Sequence, residues 1–145
     1  IENGTVYPEL IIYNEEYMIC GQSDKVVVEN NKIHIIDYKT DKSIDFKAFS
    51  SEWVKPEKLL PPVQHLDNCN GNMYSLKMSM YMYMLWKANK GRFKPGKIIL
   101  EWCPLERDED GIPIFYDGVP RETKREIIEL PYRKKEVEAM LKTKL

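Results

Sequence analysis

Cysteine and histidine are scarce in this sequence. Three cysteines, Cys20, Cys69 and Cys103, stand far apart and in odd number, which excludes the disulfide framework of a small secreted domain. Only two histidines, His34 and His65, are present, and no C-x-x-C pair, so a zinc site of ordinary spacing is excluded as well. A reducing cytoplasm is the expected compartment. No apolar run approaches the length of a membrane span, and the N-terminal residues lack a charged-then-apolar leader. No membrane contact is expected. Charge of one sign is also missing: 22 basic residues face 23 acidic ones, for a net charge of −1. Without a global basic field, any grip on a polyanion must be local. The chain opens on Ile1 rather than Met, so the expectation is a single domain over 1–145 that is a fragment or processed form, with an element upstream.

A chain of 145 residues buries roughly 68–70% of its unfolded surface and holds a core without covalent staples. Its first 40 residues are rich in Ile, Val and Tyr, interrupted by turn residues, which is strand chemistry. Tyr7–Tyr13, Tyr17–Val28 and the run "IHIIDYK" ending at Lys39 read as three strands of an antiparallel meander, turning at "NEE" and "ENNK". Gly21, inside the second, marks a bulge or a close approach of another group. The proline-rich "KPEKLLPPVQHLDNCNG" reads as a surface loop. Asn72 caps a helix over Met73–Asn89, which contains neither proline nor glycine. Lys97–Glu106 reads as a fourth strand, Asp108–Gly111 as a turn, Lys124–Leu130 as a further strand, and a charged amphipathic helix follows from about Tyr132. The expected fold class is α/β, a central mixed sheet flanked by helices.

The third strand ends in "HIIDYKT", with Asp37 and Lys39 on one face of an otherwise apolar run. A carboxylate buried alone is costly, so Asp37 must be paired, hydrogen-bonded or metal-bound. In the preceding strand Asp24 follows "GQS". If "ENNK" lies near the hairpin midpoint, Asp24 and Asp37 approach each other across the pair. Two adjacent carboxylates repel, and a divalent cation relieves them. Lys39 beside them then holds or deprotonates a water, or neutralises charge as a pentacovalent phosphate forms. The plain alternative is an ion-pair cluster that only supports the hairpin.

"GQSD" followed by "DYK" resembles the PD-(D/E)xK nuclease superfamily, in its RecB-like exonuclease branch, with the pattern G-x-x-D and then D-x-K. The resemblance spans Tyr7 to Leu85. It implies a restriction-endonuclease-like core, with Mg²⁺ or Mn²⁺ held by Asp24, Asp37 and the Tyr38 carbonyl, and Lys39 serving the attacking water. It also implies a helix motif Q-x-x-x-Y, for which this chain has Lys77 and Tyr81. Lysine in place of glutamine leaves open whether Lys77 contacts phosphate or supports the site. Met73, Tyr74, Lys77, Met78, Met80, Tyr81, Met84 and Leu85 share one stripe, which puts Lys77 in the middle of an apolar face. Glu9 occupies the place of a further family acid and is a candidate third metal ligand. Thr40, Tyr74 and Tyr81 are the candidate nucleic-acid contacts.

What the resemblance implies is a metal-dependent deoxyribonuclease of exonuclease type, with DNA as partner, in a recombination, repair or phage replication assembly. Two alternatives stay open: an inactive nuclease-fold module that binds DNA or a protein, and a structure-specific endonuclease. The run "KANKGRFKPGK" is either a solvated surface or a track for a DNA backbone. His65 and Asp67 read as polar loop residues.

Overall fold

The structure, a computed structural model, describes residues 1–144. Strands β1 (Thr5–Asn14), β2 (Ile19–Glu29) and β3 (Lys32–Lys39) form the antiparallel meander, and helix α1 (Asn70–Ala88) crosses over to β4 (Lys94–Trp102), which pairs parallel to β3. A two-residue pair, β5 (Phe115–Tyr116) with β6 (Val119–Pro120), stands apart from the main sheet. Then β7 (Glu126–Leu130) closes that sheet antiparallel to β4 in the order β1-β2-β3-β4-β7, before helix α2 (Lys134–Lys144). The α/β class with a mixed central sheet is what the chain forms. No helix of the described residues is long and apolar enough to cross a membrane.

Alternation along the strands selects the buried face. Val26 and Val28 of β2, Ile33 and Ile35 of β3, and Ile98 and Leu100 of β4 all turn toward α1 and meet Met78, Met82 and Met84 there. Asp37 and Lys39 continue the β3 series onto the same face. Helices were expected to flank the sheet; instead α1 alone lies on it, and α2 packs on the back of α1. Small residues make that close packing possible. Ser75 and Ser79, both fully buried, donate to the Pro131 carbonyl, and Ser79 Oγ accepts the Arg133 N–H at 2.9 Å. Val137 and Leu141 then close over Tyr83.

One local expectation is corrected. Asn72 is not the helix cap: the helix starts at Asn70 with Cys69 at the N-cap position, and the Asn72 amide is buried, donating to the Phe46 and Asp67 carbonyls.

Candidate active site

The site lies where β2 and β3 part. Their ladder runs from Glu29↔Lys32 to Lys25↔Ile36, and one more step of that register sets Asp24 opposite Asp37. There the carboxylates replace the ladder. Asp37 Oδ1 accepts the Asp24 N–H at 3.1 Å and the Ser23 hydroxyl at 3.4 Å, while Asp24 Oδ2 accepts the Tyr38 N–H at 2.9 Å. Each acid thus satisfies backbone that the opening strands leave unpaired. β1 is irregular at the same level: Pro8↔Lys25 and Leu10↔Ser23 pair, but Glu9 and Asp24 between them do not, and Glu9 adopts a φ of +49°. The inward positions change parity there, from Tyr7 to Leu10 and Ile12 in β1 and from Gly21 to Val26 in β2. Such irregularities re-aim side chains, and Ser23 and Asp24 both reach Asp37 as a result.

Asp37 is 2% exposed. Burial pushes its carboxyl above the usual range and the charge of Asp24 adds to this, against the pull of the Asp24 N–H, Lys39 and Lys77. One oxygen of each acid, Asp24 Oδ1 and Asp37 Oδ2, stays uncommitted to backbone. Two carboxylates held on one face, with the buried one burdened by its neighbour's charge, are a donor set that fits a hard divalent cation such as Mg²⁺ or Mn²⁺. The Lys39 ammonium lies 3.9 Å from Asp37 Oδ2 and 4.8 Å from the Tyr74 ring centre. Tyr74 is in turn fixed, its hydroxyl donating to Asp41 Oδ2 at 2.7 Å. Burial and that carboxylate raise the phenol to about 12, so it remains a donor at neutral pH.

α1 supplies the roof. Tyr81 is buried, and a side chain on Gly21 would meet its Cε1 at 2.4 Å; the close approach expected at Gly21 is this ring. Burial and the charge of Asp37 hold the Tyr81 phenol high. Lys77 is not in the middle of a covered face: it is exposed, with its ammonium 5.8 Å from the Tyr81 ring centre. The reason is that α1 is covered on two sides, by the sheet and by α2, so buried residues include Ser75, Leu76, Ser79, Met82 and Tyr83 and no single stripe describes them. Lys77 instead borders a cleft of ≈ 380 Å³ with Ile19, Cys20, Met80, Tyr81 and Met140. It still bears on Asp37 electrostatically.

The remaining candidates fall around this centre. Glu9 is exposed and its carbonyl accepts the Gln22 side-chain amide at 3.2 Å; among the described residues no group of three or more His, Cys, Asp or Glu converges, so Glu9 does not complete a triad with Asp24 and Asp37. The Tyr38 ring points to the opposite face under the Lys25 ammonium, and only its backbone belongs to the site. Thr40 is exposed, and its carbonyl accepts Arg107 Nη2 at 3.1 Å. Sequence reasoning missed Ser23, Asp41 and Arg107. Ser23 lies inside "GQSD" and Asp41 two residues past Lys39, so proximity to the motif was their only signal; Arg107 arrives from a distant loop and had none. Comparison of the chain with family models, with curated proteins and with solved structures finds no match.

Proposed function

We propose that this chain is a metal-dependent deoxyribonuclease that hydrolyses phosphodiester bonds, of exonuclease type, on a restriction-endonuclease-like core. The observation that carries the reading is the convergence of Asp24, Asp37 and Lys39 on one face at the β2–β3 fork, beneath Tyr74 and Tyr81. Asp24 and Asp37, with the Tyr38 carbonyl, are the residues that would hold Mg²⁺ or Mn²⁺. When bound, the ion supplies Lewis-acid stabilisation of charge building on the phosphate. Lys39 orients the attacking water by donation from its ammonium and neutralises the anionic transition state. The Tyr74 ring holds that ammonium in place, and the exposed Lys77 is free to meet a phosphate oxygen of the incoming strand.

A second reading has its own support. Only two carboxylates converge among the described residues, and that favours a module of the same fold which binds DNA or a protein without cutting. End-labelled linear and closed circular DNA incubated with Mg²⁺, with Mn²⁺ and with EDTA separates the readings. Cleavage of linear DNA that vanishes in EDTA and returns with either ion is expected. Cleavage of the circle would make the chain an endonuclease, and metal binding without any cleavage would make it the binding module.

A further inference from the structure

With α1 on one side of the sheet and α2 stacked behind α1, no helix among the described residues lies on the sheet's other side. Parallel strands are ordinarily covered on both faces, and here the parallel β3–β4 pair is covered on one. Alternation fixes what the open side carries. Ile35, Asp37, Ile98, Leu100, Ile128 and Leu130 turn inward, so Ile36, Tyr38, Ile99, Glu101, Ile127 and Glu129 turn outward. Near the centre Val27, His34, Ile36 and Ile99 help line a shallow depression of ≈ 240 Å³, and Ile127 at one margin is 59% exposed.

The ladders set these residues in rows across the sheet. Lys25 pairs with Ile36, Ile36 with Ile99, and Ile99 with Glu129, so one row reads cation, apolar, apolar, anion. The next row runs Tyr38, Glu101, Ile127. Neither Lys25 nor Glu129 makes an ion pair among the described residues. Charges of both signs stand on the face, Lys25 and Lys97 with Glu29, Glu101 and Glu129, which suits neither a polyanion nor a polycation. A row that runs from plus to minus through two isoleucines is instead its own complement. A two-fold axis parallel to the strands, between β3 and β4, lays β3 of a second copy over β4 and its β2 over β7, with every row kept. Ile36 then meets Ile99, Lys25 meets Glu129 and Tyr38 meets Glu101, each twice. The strands of the two sheets stay aligned, as they do when twisted sheets pack face to face.

We propose that the outer face of the sheet is an isologous interface, covered by a second copy of this chain in a back-to-back dimer. The proposal does not rest on the nuclease reading. The α1 sides of both copies stay open, and their β2–β3 forks lie at the same end of the dimer. Five strands of ordinary spacing and length give the face roughly 500 Å² in projection. That is the small end of specific interfaces, which bury about 800 Å² per partner, so the dimer is weak, with a Kd of about 1–100 μM. Sedimentation velocity of the parent chain from about 1 to 200 μM should show a concentration-dependent equilibrium between monomer and dimer. Lys25→Glu brings a glutamate against Glu129 at two places, and Glu129→Lys brings a lysine against Lys25 at two places. Each change should therefore raise Kd by about 10-fold or more. The double variant Lys25→Glu/Glu129→Lys restores both pairs in reverse and should recover most of the loss.

Both side chains point outward, so the fold should be kept, and circular dichroism checks it. Recovery in the double variant would itself exclude misfolding as the cause of either loss. A parent that stays monomeric up to about 200 μM overturns the interface, whatever else the face binds. A dimer indifferent to both single changes overturns it as well, because its contact then lies elsewhere. A loss that the double variant does not recover removes the two-fold pairing and with it the proposal. None of these outcomes bears on cleavage, so this proposal and the nuclease reading fail separately.

Discussion

Asp37 is the residue at which structure and chemistry pull apart. Its folded pKa is raised above the unfolded value, mainly by burial, so the fold favours the protonated acid. That contribution is complete below the unfolded pKa and is lost as pH rises through the folded one. Once ionised and without a cation, Asp37 therefore costs stability, and a cation relieves it. Asp37→Asn keeps an oxygen to accept the Asp24 N–H, so in EDTA it should melt at the parent's temperature or higher, while Mn²⁺ binding by calorimetry is lost. Mn²⁺ affinity of the parent should begin to fall at a higher pH than an ordinary carboxylate would dictate, because protons compete earlier. Lys39→Ala separates the two roles from the other side: no metal-binding oxygen goes, so Mn²⁺ still binds, yet cleavage should fall by on the order of 10²-fold. Cutting at the parent rate would reduce Lys39 to a salt-bridge partner, and a destabilised Asp37→Asn would make Asp37 structural. The opposition of Asp24 and Asp37 was legible from sequence because a two-residue turn at Asn30–Asn31 sets the register. The fate of Glu9 was not, since nothing in "PEL" announces a positive φ.

At the scale of elements, strand identities followed from composition, and their ends moved by only a few residues. The helix was harder to read. Its period was sound, but a stripe argument assumes one covered side, and α1 has two; the exposure of Lys77 could not be seen without knowing that α2 returns to pack there. Gly21 was the more informative signal, because a glycine inside a strand asks what comes close. The answer, the Tyr81 ring, ties β2 to α1 directly above Asp37. Gly21→Ala tests that tie. The added methyl would sit 2.4 Å from Tyr81 Cε1, in a ring too confined to give way freely, so the variant should lose about 1–3 kcal/mol. Denaturant melts measure this. If instead the strand tolerates alanine with no loss, the ring is not held where the packing puts it, and Tyr81 cannot roof the site.

For the whole molecule the decisive feature is that the layers stack in series: sheet, then α1, then α2. The sheet and α1 share one core cluster, and Tyr83 on the back of α1 belongs to another with Val137 and Leu141. The parallel β3–β4 pair at the centre depends on α1 as its crossover, and α1 depends on α2 to keep its serines and Tyr83 from water. The last helix is then part of the unit that positions the site rather than an appendage. Val137, 0% exposed, is the place to test this. Val137→Ala removes two methyl groups and leaves a small cavity, with an expected loss of about 2 kcal/mol. In a domain of this size each kcal/mol lowers Tm by about 2–8 °C, so calorimetry should find a clear shift. It should find it in a single transition, with calorimetric and van't Hoff enthalpies equal, and amide exchange should speed up in α1 and β3 as well as α2. Two transitions, or faster exchange confined to α2, would mean that sheet and α1 hold together without it. The site at the β2–β3 fork would then owe nothing to the C-terminal helix.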